Sequence, residues 1–176
     1  MNSIEALDLA LSTLFQGFSA FADELKFNPI CELDDANAIA AQQYPGIYMI
    51  EIKVLEGYDS FKAWASWFHG EWVRPEYERM HVPNPKKKRL AAHTELAEWV
   101  PLYIGKSKYI ADRVWEHIHL KLEQPTTGMK IGQRLNMVNQ RFRLSTIRVE
   151  VENYDLIMPK LEAALRNKYN PLLGRQ

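Results

Sequence analysis

The sequence predicts an α/β (α+β) protein with a small central sheet of three mainly antiparallel strands flanked by helices. Three observations predict it. Short runs rich in β-branched and aromatic residues, bounded by turn residues, stand at 46–54 and 100–104. A third run alternates Ile147, Val149 and Val151 against Arg148, Glu150 and Glu152, as a strand with one solvated face does. Between and around these runs, apolar residues recur at helical spacing. At 176 residues the chain fits a single domain over 1–176, with 1–45 as a helical N-terminal extension and 55–99 as an insert between the first two strands.

Taken in order, "SIEALDLALSTLFQGFSAFADELK" (3–26) predicts one amphipathic helix with Ser3 as its cap. Its apolar stripe is Ile4, Leu7, Leu11, Leu14, Phe18, Phe21 and Leu25, and Gly17 is a point of bending. "DDANAIAAQQ" adds a turn or two before Pro45. In the 46–54 strand Tyr48, Ile50, Ile52 and Val54 share one face, while Ile47 and Met49 on the other predict burial on both sides near its start. In the insert, "DSFKAWASWF" predicts a helix capped by Asp59 or Ser60, and "TELAEW" a short one. "VRPEYERMHVPNPKKKR" carries three prolines and a basic run and predicts an exposed loop. The 100–104 strand leads through a turn at 105–107 into a helix over about 108–122, striped by Ile110, Val114, Ile118 and Leu122. Arg113 and His117 lie together on one flank of that stripe. "QPTTGMKIGQRLNMVNQ" predicts a loop with a helical turn. Phe142 and Leu144 are out of phase with Ile147, so the third strand is expected to start late or to contain a bulge. The last helix starts near Asp155, holds Pro159 in its first turn, and stops at Asn170-Pro171.

Composition narrows the function. Hydrophobic residues at 47% and charged residues at 25% are ordinary for a globular chain, and no apolar run reaches the roughly 20 residues of a membrane helix. No secretory signal pattern opens the chain, and the lone Cys31 cannot form an internal disulfide, so a cytoplasmic setting is expected, with Cys31 inert. The net charge of zero hides segregation: residues 1–56 hold two Lys/Arg against nine Asp/Glu, whereas 106–149 hold nine against three. A basic half of that kind attracts phosphate. Neither a Gly-rich phosphate loop nor a nucleophile elbow is present, which argues against common small-molecule enzymes. His69, His81 and His93 lack the cysteines or tight pairing of a zinc site.

One set of residues stands out in chain order: Gly46-Ile47-Tyr48, then Tyr103-Ile104-Gly105, then Arg113 ten residues after Tyr103, His117 four later, Glu162, and Asn170. In this set the sequence resembles the GIY-YIG endonuclease superfamily, over about 46–54 and 100–173. The resemblance implies a GIY-YIG-like fold and hydrolysis of DNA phosphodiesters with one divalent cation, Mg²⁺ or Mn²⁺, held by Glu162. Arg113 would clamp the phosphate, with Lys106 beside it. Tyr48 would serve as base and Tyr103 as orienter of water, the tyrosine being made acidic enough by the field of Lys106 or Arg113. His117 would bond a tyrosine or the phosphate, and Gly105 would allow a tight turn.

The separation of 55 residues between Tyr48 and Tyr103 departs from the tight hairpin of many members, so 55–99 must loop out and return. Such inserts occur in the restriction-enzyme-like branch, where they help grip duplex DNA. For this chain the phosphate-contacting residues are expected to be Lys86, Lys87, Lys88, Arg89, Lys108, Lys130, Arg134 and Asn170. Trp64, Trp67, Trp72 and Tyr77 could help that grip; the alternative is a small helical cap with Trp64, Trp67 and Phe68 as its core. The expected role is a restriction-type or defence nuclease. The alternatives are a repair or structure-specific nuclease, and a binding module without catalysis. Two-strand cleavage from one site per chain implies a homodimer or two binding events, with 3–26 as the candidate interface.

Overall fold

The computed structural model describes residues 2–174, apart from the side chain of Ser19. Four strands, β1 (Asn28–Glu32), β2 (Gly46–Lys53), β3 (Trp99–Ser107) and β4 (Phe142–Arg148), form one antiparallel sheet in the order β1-β4-β2-β3. The expected three strands are therefore four. The extra one, β1, lies at an edge against β4, and a register shift between Pro29 and Cys31 accommodates a proline that cannot donate to a ladder.

The helices are α1 (Ser3–Gln16), α2 (Phe18–Glu24), α3 (Ala36–Ala40), α4 (Phe61–Trp72), α5 (Lys87–Ala91), α6 (Ile110–His119) and α7 (Tyr154–Tyr169). They cover both faces of the sheet. On one, Tyr48, Ile50, Ile52 and Leu102 pack with Trp64, Phe68 and Trp72 of α4 and Ile110 and Val114 of α6. On the other, Ile47, Met49, Ile104 and Ile147 pack with Ala22 of α2 and with Met158, Leu161 and Leu165 of α7. The double-sided burial expected for the start of β2 runs nearly its whole length, ending only at Lys53. It also resolves the phase of β4. Leu144 and Phe142 serve one core and Ile147 the other, so the strand runs through Phe142 without a bulge against β2, and Val149 and Val151 lie beyond its end.

The insert forms a helical cap. Trp64 and Phe68 are core residues, as the cap reading has them, and Trp72 and Tyr77, expected at the DNA grip, are buried as well. Trp67 is partly buried against the same core. Instead of an exposed loop, Lys87–Ala91 is a helical turn, and 94–98 contains no helix.

The long first helix is two, α1 and α2, meeting at Gly17, and Asn2 rather than Ser3 caps α1 through a reciprocal box with Glu5. In α7, Pro159 lies past the first turn. Proline is expected in a first turn because no amide is needed there; here it stands at the cleft described below. Asn170 ends α7 in the left-handed conformation, at φ 49°. Among the described residues no helix is long and apolar enough to cross a membrane.

Candidate active site

β2 and β3 pair so that Tyr48 stands opposite Gly105 and Ile50 opposite Tyr103. Residues two apart on a strand share a face, so both tyrosines project the same way, and their rings stack at 6.2 Å between centroids. Gly105 lies within β3 rather than in the expected turn. Its role is steric: a Cβ there would sit 2.4 Å from the Tyr48 hydroxyl. Gly46 is equally constrained, because a Cβ would meet the Ile147 carbonyl at 2.2 Å. Gly105 thus leaves room for the Tyr48 ring, while Gly46 allows the start of β2 to approach β4 closely.

α6 brings His117 under the same tyrosine. His117 is fully buried, its Nδ1 accepts the Met129 backbone N–H at 3.1 Å, and its Nε2 lies 2.9 Å from the Tyr48 hydroxyl. An Nδ1 that accepts carries no proton, so the ring hydrogen is on Nε2 and is donated to Tyr48. Burial, then the nearby Arg113 charge, hold the imidazole well below its usual range, so it is neutral.

One turn earlier, Arg113 ion-pairs with Glu116 and donates from Nη2 to the Thr127 carbonyl at 2.6 Å. Its charge pulls the Tyr48 and Tyr103 phenols downward, but burial outweighs it, and both are raised above the usual tyrosine value, Tyr48 well above. The expectation that neighbouring cations acidify Tyr48 is therefore corrected: without substrate it is a firmly protonated phenol.

Tyr48, Tyr103 and Arg113 line one cleft of about 730 Å³, with His117 buried behind Tyr48, and Lys86, Lys106, Glu162 and Arg166 line it too. Glu162 reaches it from α7, with Arg166 one turn on at 3.5 Å. Lys106, at the end of β3, lies 5.5 Å from the Tyr154 ring centroid. Glu162 is the one carboxylate among four cationic side chains on the described lining, which makes the cleft a seat for an anion. No group of three or more His, Cys, Asp or Glu able to hold a metal occurs among the described residues. A single carboxylate fits Mg²⁺ or Mn²⁺ when phosphate oxygens and water complete the shell, and fits zinc poorly.

The expected phosphate contacts divide. Lys86 lines the cleft, and Lys87 and Lys88 are exposed beside it in sequence. Lys108 pairs with Asp155 at 3.2 Å on the surface. Arg89, Lys130 and Arg134 are buried structural groups, and expecting them to meet phosphate is wrong. Arg89 donates to the Arg166 carbonyl and to Asn167 and Asn170, fastening the insert to the end of α7. Asn170 is the acceptor in that clasp. Lys130 donates to the carbonyls of Leu122 and Gln124. Arg134 lies 3.7 Å from the Trp72 ring centroid and donates to the Trp72 and Met129 carbonyls. Each basic tip is pulled inward because backbone carbonyls there need donors. Arg166 is the cleft residue sequence reasoning missed; its signal is the Glu-x-x-x-Arg spacing on a helix.

No family model, no curated protein and no solved structure matches this chain.

Proposed function

We propose that the chain is a metal-dependent endonuclease of GIY-YIG type that hydrolyses DNA phosphodiesters. The observation that carries this reading is the convergence of Tyr48, Tyr103, Arg113, Lys106 and Glu162 on one cation-lined cleft. Strands β3, β2 and β4 supply the small antiparallel sheet that such a fold requires, and β1 extends its far edge.

Glu162 would hold the Mg²⁺ or Mn²⁺ ion, which polarises phosphate oxygens when bound. Arg113, already oriented by Glu116 and the Thr127 carbonyl, presents its guanidinium to the phosphate as charge shifts onto its oxygens. Lys106 and Arg166 balance the remaining charge. Tyr48 accepts a hydrogen bond from His117, so its own O–H is available to a water in the cleft. Kept protonated by burial, Tyr48 orients that water as a hydrogen-bond donor rather than taking its proton. Tyr103, its ring 4.6 Å from His117 between centroids, holds the edge of this pair. A restriction-type or defence role suits a cleft walled on one side by the insert, through its 80–86 stretch. Cytoplasmic DNA is the substrate this reading implies.

Supercoiled plasmid incubated with Mg²⁺ or Mn²⁺, beside Glu162→Ala, tests the proposal. Metal-dependent cutting that falls at least about 1,000-fold in a folded variant is expected. Discrete fragments would indicate a restriction-type enzyme, and nicks a repair nuclease. Binding that weakens steeply with salt, without cutting, would replace the nuclease by a binding module.

A further inference from the structure

Much of the apolar stripe along α1 and α2 is left uncovered by the rest of the protomer. Ile4, Leu7, Leu11, Leu14, Phe18, Phe21 and Leu25 repeat at alternating steps of three and four, a strict seven-residue period. That period of 3.5 is what keeps a seam facing a second helix, whereas 3.6 is the period of a helix lying on a core. In the protomer the α1 part of this stripe faces outward, while Phe18 and Leu25 pack against the core that α2 and α7 share. α1 has no buried residue, and Ile4, Leu7, Leu14 and Phe21 are 76%, 61%, 59% and 52% exposed. A helix of this length is marginal in water without tertiary packing. A capping box nevertheless fixes its start.

We propose that α1, continued by the outer face of α2, is the interface of a homodimer, its seam closed by the same seam of a second copy. Two arguments select a second copy over another partner. The first is charge. Along α1 the positions flanking the seam are Ser3, Asp8, Ala10, Phe15 and Gly17, with one charge among them. Two identical helices can therefore meet without a ladder of like charges, and Ser3, Ala10 and Gly17 leave room for close approach. The second is area. With roughly 150–200 Å² of surface per large apolar residue, the four exposed side chains alone offer about 400–500 Å². Leu11 and Phe18, both partly exposed, and the polar rim bring this toward the ~800 Å² per partner of a specific interface. An interface at the small end of that range fits a reversible dimer rather than an obligate one. α2 packs on α7, the helix that carries Glu162, so the seam lies on that side of the sheet.

Sedimentation equilibrium of the full chain from about 1 to 200 µM tests this without reference to catalysis. The mass should rise from monomer toward dimer with a midpoint on the order of 10 µM, and Leu7→Glu and Leu14→Glu should each shift that midpoint at least tenfold upward. Both side chains are exposed in the protomer, so melting temperatures at low concentration should be unchanged. Should either variant lose its fold, Ile4→Lys at the helix start supplies the same reading. A wild-type mass that stays monomeric through 200 µM overturns the proposal. So does a dimer that the folded seam variants leave intact.

Discussion

Arg113 and Arg134 carry the same group in the same basic half of the chain, and their fates are opposite. Arg113, on α6, lines the cleft beside Tyr48 and Tyr103. Arg134, on the 129–137 loop, lies over Trp72 with its guanidinium buried, and burial lowers its pKa to about 10. A run of positive charge therefore does not foretell where phosphate binds. What distinguishes the two is the demand made by the neighbouring backbone. Around Arg134, the Met129 and Trp72 carbonyls have been removed from water and need a donor. Around Arg113, a carboxylate and one carbonyl orient the group and leave it facing the cleft.

The contrast can be sharpened at the glycine that seats Tyr48. Gly105→Ala should have the largest effect, because its methyl would overlap the Tyr48 hydroxyl. Tyr48 must move, breaking its bond to His117, so cleavage should fall by at least about 100-fold with a stability loss of about 1–3 kcal/mol. A crystal structure and a rate measurement on the variant check both. Near-wild-type cleavage would mean that the Tyr48–His117 pair is structural.

Acid acts on the same pair. His117 is neutral when folded because its pKa is depressed, while in the unfolded chain it takes up a proton near its ordinary value of 6.5. Its neutral burial is therefore without cost above about pH 6.5, and stability is lost as pH falls below that. Melting temperature should decline from pH 7 to pH 5, and His117→Gln should flatten this slope. An equal slope in the variant would place the acid sensitivity elsewhere.

The smallest effect should separate exposed from buried lysine. Lys86→Gln should reduce the slope of log affinity against log salt by about 1, because one phosphate contact is lost. Lys130→Gln should leave the slope unchanged and lower the melting temperature, since its ammonium serves the Leu122 and Gln124 carbonyls. Binding titrations at several salt concentrations distinguish them.

Part of the site was legible in two different ways. The resemblance named Tyr48 and Tyr103 together across 55 residues, which only the β2–β3 register brings face to face, whereas the four-residue helical repeat by itself puts Arg113 and His117 on one flank. Gly105 was recognised as special, but for a turn it does not make; the true reason is a ring on the neighbouring strand, which no single strand reveals. β1 escaped notice because "NPICE" is short, contains Pro29, and is defined only by pairing with β4. Arg89, Lys130 and Arg134 were misread for one physical reason. Their acceptors are carbonyls brought close by folding, and composition records charge without recording where buried carbonyls lack donors. Tyr48 was expected to be acidic because charge is visible in sequence, whereas the burial that dominates it is not.

The most direct test sets Arg113→Ala beside Arg134→Ala in single-turnover cleavage of an end-labelled duplex, with melting curves on both. Arg113→Ala should cut at least about 100-fold more slowly and melt within about 3 °C of wild type. Arg134→Ala should lose about 2–3 kcal/mol, or roughly 4–12 °C, and keep its rate per folded molecule. Equal rate losses in the two variants, or a full rate in Arg113→Ala, would contradict the assignment of the cleft as the place where the phosphate is cut.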